Sequence, residues 1–151
     1  MILGNIDLAL LALGLFAFGT LLVTNQAEGL ILELITNKTN DNVDLTLHLF
    51  SNNVTPAEGD TAATYTEVTG GGYASKTLTG ASWTVATGAP SEASYAEQTF
   101  TFSSVPGVAT VYGYMVKRGS TLLWAELLPS APFTIATAGD EVRVTPKLTL
   151  E

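Results

Sequence analysis

The spacing of hydrophobic positions changes once along this chain, near residue 43. Before that point apolar residues cluster or recur every three to four positions; after it they alternate in twos. Residues 8–23, LALLALGLFAFGTLLV, form an uncharged apolar run of 16 residues, with Asn5 or Asp7 placed to cap a helix at its start and Gly19 placed to end one. Leu30, Ile31, Leu34 and Ile35 then fall at helical spacing, behind Asn25 and Glu28, which stand three apart like a capping box. One or two N-terminal helices are therefore expected. They close at Thr36-Asn37 and are followed by a polar loop, Lys38 to Asn42.

From Val43 to Phe50 the alternation is strict. Val43, Leu45, Leu47 and Leu49 share one face, and Asp44, Thr46, His48 and Phe50 the other, which predicts a half-buried strand. A long irregular excursion follows, Asn52 to Gly72, with a short strand expected at Tyr65–Val68. It ends in Gly70-Gly71-Gly72, read as a flexible turn because it precedes a strand and not a helix. Further strands are predicted at 73–78, 82–86, 94–102, 110–117, 122–127 and 133–135, with turn residues between them. On 110–117, Tyr112 and Tyr114 are expected on one face and Val111 and Met115 on the other. A last alternating strand covers 141–150. Pro146 cannot donate to a ladder, so that strand is expected at an edge or bent there. The fold class expected is mainly β, an antiparallel β-sandwich or small barrel preceded by one or two N-terminal helices. The chain divides into an apolar helical arm, residues 1–42, and a β domain, residues 43–151.

Composition sharpens this picture in one respect. Of 151 residues, 46% are hydrophobic and 13% charged, against about 25% charged in ordinary soluble domains. Such a surface is either covered by Thr, Ser, Asn and Gly or hidden by partners, which favours an assembly component. The net charge is −8 and Lys117-Arg118 is the only adjacent basic pair, so a nucleic-acid partner is not expected.

Candidate chemistry is sparse. The absence of cysteine removes thiolate catalysis, disulfides and cysteine zinc sites. His48, the only histidine, is read as a surface or interface residue. Glu58, Asp60 and Glu67, and Asp41 with Asp44, match no calcium-loop template and read as solvated loop acids. Neither a nucleophile motif nor a carboxylate pair in an aromatic groove is visible. No catalytic residue, cofactor or metal ligand is assigned. Trp83 and Trp124 are expected in the core. The apolar run of 16 residues falls short of the about 20 that a transmembrane helix needs, and Asp7 without Lys or Arg disfavours both a signal peptide and an anchored helix. An arm buried in the protein or between subunits is the favoured reading.

Six stretches carry a resemblance: LFSNNVTPAEGD at 49–60, YTEVTGGGYASKTLTGASW at 65–83, EQTFTF at 97–102, VYGYMV at 111–116, LLWAELL at 122–128 and AGDEVRVTPKLTL at 138–150. With VTNQAEGLILELITN at 23–37 as a helical lead-in, they resemble small structural proteins of tailed bacteriophages, notably those of cyanobacterial hosts. Residues 1–22 are an extension to that resemblance. It implies a virion component without enzymatic activity, foremost a capsid decoration (cement) protein. The partners implied are the major capsid protein and further copies of itself, most simply as a trimer. A tail, baseplate or fibre-attachment component is the alternative, and a small membrane-anchored β-domain protein the second. The residues expected to carry assembly are Leu8, Leu11, Leu15, Phe16 and Phe18 in the arm and Asn52, Asn53, Pro56 and Tyr65 in the excursion.

Overall fold

The computed structural model describes residues 23–36 and 43–150. The run at 8–22 and the loop at 37–42 lie outside them, and with them Leu8, Leu11, Leu15, Phe16 and Phe18. Helix α1 (Asn25–Ile35) precedes eleven short strands: β1 (Leu45–Phe50), β2 (Lys76–Leu78), β3 (Thr84–Ala86), β4 (Ser91–Ser94), β5 (Gln98–Thr101), β6 (Thr110–Val111), β7 (Gly113–Arg118), β8 (Thr121–Leu127), β9 (Phe133–Thr134), β10 (Glu141–Val144) and β11 (Lys147–Leu150). The protein is mainly β, its strands pair antiparallel, and the helix stands near the N-terminal end.

The main sheet has the order β2-β1-β7-β8. Smaller sheets, β10-β5, β11-β4-β3 and β6-β9, complete a sandwich-like body. The larger core lies between them. Leu47 and Leu49 from β1 and Tyr114 and Val116 from β7 meet Phe100, Phe102, Val111, Ile135, Val142 and Val144 there. A smaller core sits on the opposite face of the main sheet, where Phe50, Met115, Leu122 and Ala125 are covered by Tyr65 of the excursion. The central strands are thus buried on both faces.

Two expected strands are each divided by a local backbone demand. The alternation at 110–117 changes phase at Tyr112: Val111 and Tyr114 enter the larger core, while Tyr112 and Met115 face the smaller one. The cause is Gly113, whose backbone lies so close to the Glu126 carbonyl and the Phe50 ring that no Cβ fits. The strand expected over 141–150 breaks at Thr145-Pro146. Its first half pairs with β5 and its second with β4, so the residue that cannot donate marks the crossing between two sheets. Pro146 is buried there, and its carbonyl accepts the Tyr95 N–H at 2.9 Å.

The helix start is one residue earlier than its capping-box pattern. Thr24, not Asn25, is the cap: its carbonyl accepts the Glu28 N–H at 3.0 Å and its Oγ1 the Ala27 N–H at 3.3 Å. The same hydroxyl donates to the Leu122 carbonyl at 2.7 Å, and the Thr24 N–H to that of Leu123 at 3.1 Å. Those carbonyls are accessible because β8 bulges at this point: Val116 pairs with Trp124 and Lys117 with Leu122, which leaves Leu123 unpaired. Thr24 therefore joins the helix to the sheet edge.

Candidate assembly surface

The excursion is folded tightly against the sheet. Beyond β2, residues 66–68 run along the same edge of β1: Ser51 N–H donates to Thr66 O at 2.8 Å, Val68 N–H to Leu49 O at 3.0 Å, and Glu67 bridges Phe50. The short strand expected at Tyr65–Val68 is thus a single bridge. Between it and β2 the Tyr73 hydroxyl fills the gap and accepts the Leu49 N–H at 3.0 Å. Gly70, Gly71 and Gly72 all have positive φ, a run that side chains oppose. A Cβ on Gly71 would lie 2.6 Å from the Ser104 carbonyl. The triple glycine is accordingly a packed left-handed turn and not a flexible one.

Asn52 uses both ends of its amide inside this structure. Nδ2 donates to Thr64 O at 2.9 Å and Oδ1 accepts Thr66 N–H at 2.7 Å. Tyr65, expected at an interface, is buried: its ring lies 4.8 Å from that of Phe50 and its hydroxyl donates to Asp60 at 2.6 Å. Burial first, then Asp60, pushes the Tyr65 hydroxyl above the usual phenol range. Asn53 is exposed and Pro56 half-buried. The structure brings Asn52 and Tyr65 together as supports of the loop, while Asn53 remains on its surface.

His48, expected at the surface or at an interface, is buried within the chain. Its Nδ1 lies 2.6 Å from Glu67 Oε1 and its Nε2 2.9 Å from Thr46 Oγ1. Glu67 also accepts from Tyr73 Oη at 3.1 Å and faces Lys117 Nζ at 3.8 Å. Burial raises the Tyr73 pKa, the Leu49 N–H opposes the rise and Glu67 adds to it; the phenol stays protonated and donates. Hydroxyl, imidazole and carboxylate stand in the order of a nucleophile relay. Thr46, however, is paired with Thr77 on one side and Lys117 on the other in the middle of the sheet. None of the described cavities borders it. The relay's plain effect is to tie the end of the excursion to β1. No sequence signal links His48 to Glu67, which is 19 positions away.

The acids read as loop residues also brace turns. Asp60 Oδ2 accepts the Ala57 N–H at 2.8 Å and Asp44 Oδ1 the Gly80 N–H at 2.9 Å. Among the described residues, no three His, Asp or Glu side chains gather as a metal site.

The body opens at one end. A cavity of about 220 Å³ lies between α1 and the sheets, lined by Val23, Ala27, Leu30, Ile31, Leu34, Val43, Leu45, Leu123, Trp124 and Leu148, with Arg118. Burial decreases along both walls. On α1 it runs from Ala27, at 4% exposure, through half-buried Leu30 and Ile31 to Leu34 at 48%. On β1 and the segment leading into it, it runs from Leu49 and Leu47, at 0%, through half-buried Leu45 to Val43 at 51%. Among the described residues, the groove is the open end of the larger core. Trp124 forms its floor; the indole N–H lies near the Tyr114 hydroxyl without a well-formed hydrogen bond, and that hydroxyl donates to Glu126. The helical stripe on α1 was legible in sequence, but its tapering burial was not.

No helix among the described residues is long and apolar enough to cross a membrane. No protein-family model matches the chain, and no curated protein matches it.

Proposed function

We propose that this protein is a non-enzymatic structural component of a tailed-phage virion, foremost a capsid decoration protein that bridges capsomers on the head. The observation that carries this reading is the juxtaposition at Val23. There the uncharged apolar run joins a body whose core opens, among the described residues, into an exposed apolar groove. A chain built this way gains by covering apolar surface with another chain, at about 25 cal/mol per Å² before the cost of ordering. The resemblance of residues 23–151 supplies the virion class, and the net charge of −8 suits a particle's outer surface. The partners are the major capsid protein and further copies of this chain.

Immunogold electron microscopy with antibody against the β domain tests this on virions of the encoding phage. Label distributed over the head is expected. Label confined to the tail would replace the decoration role with the tail-component alternative, and unlabelled particles would overturn the virion reading.

A further inference from the structure

We infer that the groove between α1 and the main sheet is the seat of the apolar run Leu8–Phe18 from a second copy of this chain. Three observations point there. The groove is lined by aliphatic side chains and Trp124, and at about 220 Å³ it exceeds the ~150 Å³ apolar cavity that takes up a benzene ring, so a Phe or Leu side chain fits. Its open end is bounded by Leu34 and Val43, each about half exposed, so the mouth itself is apolar. Leu8–Phe18 matches it in chemistry: eleven residues without a charge, including Leu15, Phe16 and Phe18.

The choice of a second copy follows from the direction of the chain at Val23. That residue bridges Trp124 antiparallel, and the Thr24 N–H is bound to Leu123 O. At Val23 the backbone, traced backwards, therefore points along β8 toward Leu127. The groove lies the other way, toward Leu123, Arg118 and Leu45. An arm entering its own groove must reverse between Gly19 and Leu22; an arm from a neighbour need not. Each copy then gives one arm and receives one. Such an exchange closes as a reciprocal two-fold swap or as a larger ring, and in either every groove is filled. The inference concerns self-assembly and stands apart from the virion reading.

The absence of cysteine makes the test clean. Two full-length chains are co-expressed, one tagged and carrying Leu15→Cys, the other carrying Leu34→Cys, and the assembly is oxidised. A disulfide-linked pair of tagged and untagged chains is expected on a non-reducing gel, falling at least fivefold in yield when the receiving chain also carries Leu30→Asp. The double variant L15C/L34C is run beside it. A disulfide that forms only within its single chain, and not between the co-expressed chains, would overturn the exchange. So would no disulfide in either arrangement, provided circular dichroism and the urea midpoint match the parent. Antibody labelling of virions reads the other proposal independently.

Discussion

The two faces of β1 come from one alternating strand and reach opposite ends. The face carrying Thr46, His48 and Phe50 is closed: the excursion covers it, and its buried polar groups find partners within about 3 Å. The face carrying Val43, Leu45, Leu47 and Leu49 is sealed at Leu47 and Leu49 and open at Val43. The difference teaches which kind of closure leaves apolar surface exposed among the described residues. Polar closure by His48, Glu67 and Tyr73 is directional and self-sufficient, because each hydrogen bond consumes one donor and one acceptor. Apolar closure is set only by area, and α1 supplies too little of it past Leu30.

The sharpest way to break this comparison is Phe50→Ala. It empties the smaller core beneath the excursion and is expected to cost about 3–5 kcal/mol. Leu45→Ala, on the half-buried wall of the groove, is expected to cost about 1 kcal/mol. Urea unfolding of both variants measures the ratio, and equal losses would mean that the groove is already filled. Thr24→Val comes next, at about 2 kcal/mol. It removes the helix cap and leaves the buried Leu122 carbonyl without its hydroxyl donor. Hydrogen exchange should show α1 opening before the sheet. Tyr73→Phe is expected to cost about 1.5 kcal/mol, because the Leu49 N–H loses its acceptor. Its mark is faster exchange at that single amide, which general loosening would not produce.

The smallest effect lies outside both faces. Asp140 accepts the Thr137 and Ala136 N–H groups, at 3.0 and 2.7 Å, and these hold its carboxyl below the ordinary value of 3.8. A depressed folded value means that the stabilisation is present above about pH 3.8 and is lost as pH falls through the lower folded pKa. Asp140→Asn should flatten that acid limb of the stability curve and leave its slope near neutrality unchanged. Unfolding midpoints across the acid range check it.

Much of the fold was legible because it depends on local pattern. The alternation from Val43 to Phe50 marks β1, and of the helical spacing at Leu30, Ile31, Leu34 and Ile35, the first three line the groove on α1. Pro146 marked the break that sends β10 and β11 into different sheets. What failed was phase and partnership. The inversion at Tyr112 arises where Gly113 presses against Glu126 and Phe50, both distant in sequence. The burial of His48 depends on Glu67 and Tyr73, brought back by the excursion.

The sequence by itself determined periodicity, the placing of turns, the lack of thiol chemistry and the presence of an uncharged apolar run. Each of these is a property of neighbours along the chain. Only the tertiary structure decided which face of β1 is closed by polar contacts and which is left open, that Thr24 fastens the helix to a bulge in β8, and that Tyr65 supports the excursion from beneath. The physical reason is that burial and hydrogen-bond satisfaction are set by what lies across space, and residues such as His48 and Glu67 meet only once the sheet has formed.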